Sequence, residues 1–443
     1  MTDSLSPGQS AVPAERNLPV ANKTDTVALL LVFLLIAVSG MEYFYISHNY
    51  IFLSLLFASY VFFKRKKKID KSALIILGII FLTELIQILV FGGFSPVTFT
   101  GTYIRLILAY FIVVVAGKNF MSYYVRILFF FSVIALIFYA GSFLPSAQDI
   151  YVNVLAKLVP NPFVNTEGLD LSKPNVLVFN FERTLFSEHR NPGPFWEPGA
   201  FGVFVMIAML FNRTLRKGIW NMQNIIFLLC LITTKSTMAY IAFFIFFIFY
   251  LLELFRKKRA YFFLLPVILY LTMKFYSDIP FLQEKILLNI TNADKTTSSR
   301  FGSALADLET FRQSPFIGKG RFGAQHEFIS DEDLTVEFAR NNGIFILLAT
   351  YGLPLTLLYF YSILKTFTSI RKKFNFSIYY VLGGFAIMMV LGFSQAIFLR
   401  PFFYSFLFLA PVVSPVLNLK KKNKSMLLAP AVNRDHTGKE MIE

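Results

Sequence analysis

A carboxylate beside a predicted helix start is the first candidate for chemistry in this sequence. Residues 187–202 read SEHRNPGPFWEPGAFG, and Pro194 or Pro198 suits the first turn of a helix, where the missing N–H has no partner to lose. Glu197 is therefore predicted in that first turn. The helix dipole favours an ionised carboxylate there, which can accept a proton or orient a hydroxyl. A helix-start glutamate beside an interfacial Trp196 explains the same pattern without chemistry, and that alternative stays open.

Two further polar groups precede this glutamate in the chain. His189 can act as a base near neutral pH, although a polar residue at a membrane interface is the more common use of such a histidine. Arg190 presents a planar guanidinium that matches the oxygens of a diphosphate. The alternative for Arg190 is an ion pair with Glu182 or Glu188.

A second cluster combines a short helix with a basic, glycine-rich turn. Residues 298–323 read SSRFGSALADLETFRQSPFIGKGRFG, and apolar residues at helical spacing predict an amphipathic helix that starts after a serine cap and ends at Pro315. Such a helix lies on a membrane surface or covers a cavity. Arg300 starts this cluster, and Lys319 and Arg321 follow among glycines that let backbone N–H groups approach an anion. An ordinary surface turn is the alternative, since the glycine spacing matches no phosphate-binding signature.

A third cluster leads into another apolar segment. Residues 337–354 read EFARNNGIFILLATYGLP. Arg340, Asn341 and Asn342 stand where the apolar segment begins, so we expect them at the mouth of any site that this segment borders.

The composition places these clusters in a membrane protein. The chain has 443 residues, of which 56% are hydrophobic and 15% are charged, whereas soluble proteins are about 45–50% apolar and about 25% charged. A net charge of +16 would suit a soluble nucleic-acid binder, but a mean hydropathy of +0.60 does not. These values exclude a disordered chain and a coiled coil. The single cysteine, Cys230, excludes an internal disulfide, and four histidines are too few for Cys/His metal clusters.

The apolar segments predict about twelve transmembrane helices. A span needs about 20 mostly apolar residues, and Glu84 and Arg105 on neighbouring spans are expected to form an ion pair or to serve the function. The predicted spans are 27–45, 47–63, 72–94, 102–117, 123–143, 195–211, 218–234, 237–255, 260–275, 341–364, 376–394 and 401–418.

Basic loops predict the orientation, because short cytoplasmic loops are enriched in lysine and arginine. With twelve spans, the runs KRKKK at 64–68, RKKR at 256–259, RKK at 371–373 and KKK at 420–422 all fall on one side. Both termini fall there as well, so 1–26 and 419–443 are predicted cytoplasmic tails, the first of them disordered. The opposite side receives two long external loops, about 144–194 and 276–340. Long ordered loops commonly carry function.

At this point the sequence resembles the O-antigen and exopolysaccharide polymerase group, the Wzy-type polymerases. NPGPFWEPGAFG before an apolar helix is similar to that family, as is TTKSTMAYIAFFIF at 233–246. RFGSALADLETFRQSPFIGKGRFG resembles its Arg-to-Gly external loop, and NNGIFILLATYGLP resembles the segment that follows. The resemblance covers about residues 180–400, and the order of the pieces is more specific than any one of them.

The resemblance implies an all-α polytopic membrane protein of the GT-C-like ligase/polymerase superfamily in the bacterial inner membrane. Such a protein moves a growing chain from undecaprenyl diphosphate onto a new lipid-linked oligosaccharide unit at the outer face, without metal or cofactor. Its expected partners are that substrate, membrane lipid, a chain-length regulator and a flippase, and no nucleic acid. The positions that the resemblance implies are Arg190, Glu197, Arg300, Arg321 and Asn342. Together with the candidates above, we expect Glu197 and His189 to transfer the proton and Arg190, Arg300, Arg321 and Arg340 to bind the diphosphate. Asn342 and His326 are expected to position either the acceptor or the loop.

One departure from the family affects the choice between its members. Many relatives, notably the O-antigen ligases, have a histidine directly before the asparagine of this late helix, and Asn341 holds that place here. This disfavours a ligase and shifts the role of base to Glu197, His189 or His326. A flippase or transporter of lipid-linked oligosaccharide is the alternative from another class. Twelve spans suit a transporter, but the long external loops and the lack of an internal repeat do not.

Overall fold

The computed structural model describes residues 24–45, 48–158, 175–181, 189–216, 218–255, 300–321 and 341–414, with single positions 184, 266, 270 and 274. Most of these residues are helical, and the exceptions are one small hairpin and the short segments that connect the helices. The helices used below are α1 Thr26–Gly40, α2 His48–Lys64, α3 Lys71–Phe91, α4 Pro96–Ala116, α5 Phe120–Gly141, α6 Pro198–Leu215, α7 Met222–Thr233, α8 Thr237–Phe255, α9 Arg300–Gln313, α10 Gly343–Phe374, α11 Ile378–Ser394, α12 Pro401–Tyr404 and α13 Phe406–Val413.

Within the described residues, five segments are long and apolar enough to cross a membrane, and four shorter apolar helices accompany them. One of the five, Pro96–Gly141, holds both α4 and α5, which meet at Gly117 with φ +56°. A polytopic, mainly helical membrane protein is therefore confirmed. The number twelve stays a prediction, because the predicted ninth span, 260–275, lies almost entirely outside the described residues.

The predicted external loop 144–194 contains local structure. Its first part forms short helical turns, Pro145–Ile150, Tyr151–Leu155 and Ala156–Leu158. Further on, strands β1 Asn175–Val176 and β2 Phe179–Asn180 pair antiparallel, with Val176 opposite Phe179. The hairpin buries Phe179 and Phe181 against Phe138 of α5, so this part of the loop packs onto the bundle.

Helix α6 lies at the centre of the bundle and is buried along nearly its whole length. Aromatic rings pack around it. Tyr124 of α5 donates to the carbonyl of Phe204 at 2.9 Å, and its ring stacks on Phe402 at 4.7 Å. Because the residues just before α6 include Glu197, this buried helix gives the candidate carboxylate a rigid support.

Groups near the predicted cytoplasmic loops meet at one end of the bundle. Arg65, just after α2, pairs with Asp25 at the start of α1, and Lys118 interacts electrostatically with Lys373 of α10. The turns that carry these groups were predicted to share one side of the membrane with the N-terminus, and they lie together here.

Near the far end of α6, Arg213 forms a buried ion pair with Glu253 of α8. Its guanidinium also lies over four aromatic rings, at 5.0 to 5.8 Å from their centroids: Phe246, Tyr250, Phe376 and Tyr380. A guanidinium within about 6 Å of a ring face is attracted by the ring quadrupole. The pair therefore links α6, α8 and α11 by both charge and packing.

Helix α10 is broken at Gly352, which has φ +71° and ψ −179°. The chain from Pro315 to Lys319 packs against the break, and two backbone bonds hold it there: Leu353 N–H donates to the carbonyl of Pro315, and Lys319 N–H donates to that of Ala349, each at 2.8 Å. A Cβ on Gly352 would stand 2.4 Å from the Phe316 carbonyl oxygen. Only glycine fits this close approach of two backbones.

Candidate active site

The NPGPFW turn that precedes α6 is fixed on three sides. Asn191 bonds to Thr233 at the end of α7 through both its N–H, at 3.0 Å, and its side-chain amide, at 2.9 Å. Phe195 forms a bridge with Met41 beyond α1, and Gly193 accepts from Asn180 of the hairpin at 2.8 Å. The turn is therefore part of the folded core, and the side chains that follow it have a fixed origin.

Glu197 occupies the N-cap position of α6, and Pro198 is the first helical residue. The prediction that Glu197 lies within the first turn was wrong by one position, because Pro198 and not Pro194 starts the helix. The side chains that commonly cap a helix start are those of Ser, Thr, Asp and Asn, and the longer Glu197 side chain makes no capping bond. Its Oε1 accepts instead from Nε2 of Gln395, which lies just beyond the end of α11.

The segment 395–400, between α11 and α12, joins the predicted clusters. Gln395 contacts Glu197 of the first cluster, and the carbonyl of Leu399 accepts from Arg321 of the second at 3.5 Å. Next to the third cluster's Asn342, a Cβ on Gly343 would lie 2.5 Å from the Gln395 carbonyl oxygen. Three regions far apart in sequence therefore converge on six residues that the sequence analysis did not single out.

A cavity of about 540 Å³ opens beside this segment, between α3, α4 and the basic turn after α9. Arg321 lies on its wall and donates to Thr102 Oγ1 at 3.1 Å. Lys319 lies on the same wall, 5.0 Å above the ring of Phe91. Burial alone would lower the pKa of Arg321, but Tyr404, Tyr351 and Glu84 raise it above its ordinary value. The guanidinium therefore stays protonated.

Two further arginines add positive charge close to Arg321, although neither lines the cavity. Arg105 of α4 interacts electrostatically with both Arg321 and Arg400. The Arg400 guanidinium lies 4.7 Å from the ring of Trp196, directly beside Glu197. We call Arg105, Arg321 and Arg400 the arginine group. The three arginines outnumber the two acids described nearby, Glu84 and Glu197, and such an excess of positive charge favours an anionic ligand.

Glu84 does not form an ion pair with Arg105, which was one of the two expectations for these residues. Its Oε1 accepts from the Tyr351 hydroxyl at 3.1 Å, and the carboxylate also interacts with Tyr103 of α4 and with Arg321. Glu84 lies on the cavity wall beside Tyr351 of α10, whereas the Arg105 side chain interacts with the other arginines.

Asn342 caps α10. It is fully buried, and its Oδ1 accepts from the N–H groups of Ile344 and Phe345 at 3.1 and 3.2 Å. Its Nδ2 has no partner within the described part of the chain. The cap explains a role in positioning the chain, which was one of the two predicted for this residue.

His189 and Arg190 contact a different part of the bundle. His189 has φ +46°, and its ring stacks on Phe143 with centroids 5.3 Å apart. Arg190 Nε donates to the carbonyl of Thr234, in the turn between α7 and α8, at 3.1 Å. Neither is joined to the segment 395–400 by a described hydrogen bond or ring contact. The diphosphate and base roles predicted for them thus gain no geometric support.

Three predicted residues are not described far enough to test. His326 and Arg340 lie outside the described residues, and only the backbone of Arg300, the first residue of α9, is described. Helix α9 itself ends before Pro315 as predicted. Its small and polar side chains are buried, among them Ser303, Ala304 and Asp307, while Phe301 and Leu305 are exposed.

Sequence reasoning missed Gln395 and Arg400 as site residues, and it named Arg105 only as the ion-pair partner of Glu84 or as a functional charge inside a span. Each had a weak signal: Gln395 and Arg400 border an apolar run next to Pro401, and Arg105 is a charge inside a predicted span. Sequence spacing alone does not indicate what these residues contact, because their partners in space lie on segments that are distant in sequence.

The arrangement can stabilise a departing anion and accept a proton. A carboxylate fixed by an amide lies next to an arginine group that borders a cavity. Preorganised cations stabilise negative charge that develops as a leaving group departs, and a nearby carboxylate is suited to general base catalysis.

Comparison with known families gives one match to part of the chain. A family model described as O-antigen ligase matches residues 224–360, about a third of the chain, which contains Arg300, Arg321 and Asn342. No curated protein matches the chain. The family implies a multi-pass, glycosyltransferase-like membrane enzyme with lipid-linked oligosaccharide substrates. The match supports the O-antigen ligase/polymerase superfamily for this chain, without separating its polymerases from its ligases.

Proposed function

We propose that this protein polymerises undecaprenyl-diphosphate-linked oligosaccharide repeat units into O-antigen, capsule or exopolysaccharide. The observation that carries the proposal is the segment 395–400. Its Gln395 holds the Glu197 carboxylate, its Leu399 contacts Arg321, and its Arg400 belongs to the arginine group. A polymerase needs both a proton acceptor and stabilisation of a diphosphate leaving group, and these two functions meet there.

In the proposed step, a hydroxyl oxygen of the acceptor unit attacks the anomeric carbon of the growing chain. The bond between that carbon and the diphosphate oxygen breaks, and undecaprenyl diphosphate leaves with the bonding electrons. Glu197 takes the hydroxyl proton. A diphosphate is already a good leaving group, so charge stabilisation by Arg105, Arg321 and Arg400 replaces a strong general acid. The step needs no cofactor.

The cavity accounts for the lipid-linked nature of the donor. Lys319 and Arg321 line it, and Val90 and Phe91 of α3 lie at its edge. Along the same helix, Leu82, Leu89 and Val90 are exposed, Leu89 by 75%. A diphosphate bound at the cations thus has an apolar helix beside it for the polyprenyl chain.

The orientation and partners follow from the same proposal. The cavity and the segment 395–400 lie at the external, periplasmic face of the inner membrane, and both termini are cytoplasmic, as the basic loops favour. A flippase supplies the lipid-linked units, and a chain-length regulator limits the product. The family match gives no support to a flippase activity for this chain itself.

An O-antigen ligase is the second candidate, because the matching family model carries that description. Asn341, in the place of the histidine of many ligases, favours the polymerase. Deletion of the gene separates the two. Loss of a polymerase leaves single repeat units on the lipid A core, whereas loss of a ligase leaves no unit attached.

The site is tested by Glu197→Gln, with Glu309→Gln as its matched control, since Glu309 is an exposed acid on α9. We expect Glu197→Gln to abolish long-chain polysaccharide at unchanged protein abundance, and Glu309→Gln to leave it unchanged. Arg321→Met and the exposed Arg312→Met form a second matched pair. Wild-type chain length in Glu197→Gln would overturn the proposed role of the carboxylate.

A further inference from the structure

We propose that Gln395 is the positioning residue of Glu197, so that one carboxylate oxygen is held while the other faces the acceptor hydroxyl. The inference rests on the proposed function and extends it to a residue outside the segment that the family model matches.

The first observation is that Glu197 does not cap its own helix. Ser, Thr, Asp and Asn side chains at an N-cap are short enough to accept from the free N–H groups of the first turn. The longer Glu197 side chain makes no such bond, and its carboxylate accepts from Gln395 Nε2. Its direction is therefore set by the amide and not by the helix that it precedes.

The second observation is that Gln395 itself is fixed. It is 8% exposed, its N–H donates to the Leu391 carbonyl at 3.1 Å, and its carbonyl accepts from Ile397 N–H at 2.7 Å. Its carbonyl is also closely packed, because a Cβ on Gly343 would lie 2.5 Å from that oxygen. A donor held by its own backbone can hold its acceptor in turn.

The third observation concerns the space around the pair. A Cβ on Gly199 would lie 3.0 Å from both Gln395 Nε2 and Glu197 Oε1. Glycine at this position leaves room for the two side chains to meet across the start of α6. The amide N–H can only donate, so Oε1 serves as its acceptor, and Oε2 of the half-buried Glu197 remains for a substrate hydroxyl.

The test measures chain elongation by the purified protein in proteoliposomes that contain a lipid-linked repeat unit. We expect Gln395→Met, which keeps the volume and removes the donor, to lower kcat by about 10- to 100-fold, the range for a misplaced reactive group. KM changes less, because the amide does not touch the substrate. The control is Gln313→Met, at an exposed position that ends α9, with the wild-type rate.

A double variant separates positioning from a purely structural role. If Gln395 acts through Glu197, then Glu197→Gln/Gln395→Met is no slower than Glu197→Gln alone. A multiplied loss would show that Gln395 contributes to the fold independently and would overturn the inference. A kcat within twofold of wild type in Gln395→Met would do the same.

An isosteric variant carries the test if Gln395→Met does not accumulate. Gln395→Glu keeps the shape but offers a donor only when the two facing carboxyl groups share a proton. We expect its activity relative to wild type to rise as the pH is lowered, and a ratio that is independent of pH contradicts the inference. Failure of the proposed function can be distinguished from failure of the inference about Gln395, because Glu197→Gln would then elongate chains normally.

Discussion

The break in α10 at Gly352 gives the sharpest perturbation of the cavity, through Gly352→Ala. Gly352 has φ +71° and ψ −179°, a backbone conformation that residues other than glycine rarely adopt. A Cβ there would lie 2.4 Å from the Phe316 carbonyl oxygen and 2.8 Å from Gly318 N. Both are backbone atoms of the chain that precedes Lys319 and Arg321, so neither can rotate away.

The magnitude follows from strain and lost hydrogen bonds. Forcing a non-glycine residue into such a conformation costs about 1–3 kcal/mol. Displacing the 315–319 chain also loses the bonds Leu353 N–H to Pro315 and Lys319 N–H to Ala349, at about 1 kcal/mol each. We therefore expect at least about 3 kcal/mol against the docked state, roughly a 100-fold shift towards an undocked chain.

Hydrogen exchange of the backbone amides at 316–320, in detergent or nanodiscs, measures this shift. Gly352→Ala should exchange faster there by up to about 100-fold and should lose elongation activity, because Arg321 leaves the cavity wall. Gly78→Ala is the matched control, since a Cβ on Gly78 has nothing within 4 Å. Unchanged exchange and activity in Gly352→Ala would refute the described packing of the two backbones.

Three further predictions concern the rest of the fold. Glu253→Gln leaves the buried Arg213 charge unpaired and should lower the free energy of unfolding by about 3–5 kcal/mol, which is measured as a lower thermal midpoint. The double variant Arg213→Met/Glu253→Leu removes both charges and should recover most of the lost stability. A thermal midpoint of the double variant no higher than that of Glu253→Gln would argue against the pair. The pKa of Asp25 is lowered, chiefly by its hydrogen bond from Arg65, so its contribution to stability is present above the ordinary aspartate pKa and is lost as the pH falls through the lower folded-state value. The stabilities of Asp25→Asn and wild type should therefore differ at neutral pH and converge in acid below about pH 4. A difference that stays constant with pH would count against the ion pair. Gly40→Ala would place a Cβ 2.8 Å from the Trp196 ring and should reduce activity and thermal stability relative to the control Gly78→Ala. Equal values in the two variants would contradict the packing of the turn that carries Trp196.

The membrane architecture could be predicted from the sequence, because hydropathy reflects a strong physical constraint. Spans need apolar length and helices satisfy their own backbone groups, so α3 and α8 lie within a residue or a few of their predicted bounds. The ends were less accurate. Helix α4 starts at Pro96 and not at 102, because Ser95 caps it and Pro96 suits the first turn.

The site could be predicted only in part. Glu197, Arg321 and Asn342 were identified by residue type and resemblance, and their surroundings connect them through 395–400. Gln395, Arg105 and Arg400 could not be placed, because the contacts that define them span up to about 300 residues of sequence. The direction of the Glu197 carboxylate could not be predicted either, because its partner Gln395 lies 198 residues away in sequence.

The central claim is that this one chain lengthens a lipid-linked polysaccharide by transfer from a diphosphate. The direct measurement is the product pattern when the purified protein is incubated in proteoliposomes with undecaprenyl-diphosphate-linked repeat units alone. The proposal predicts a ladder of lipid-linked chains that differ by one repeat unit, with release of one undecaprenyl diphosphate for each bond formed. Unextended units, together with transfer to lipid A core once that acceptor is added, would contradict it and identify a ligase.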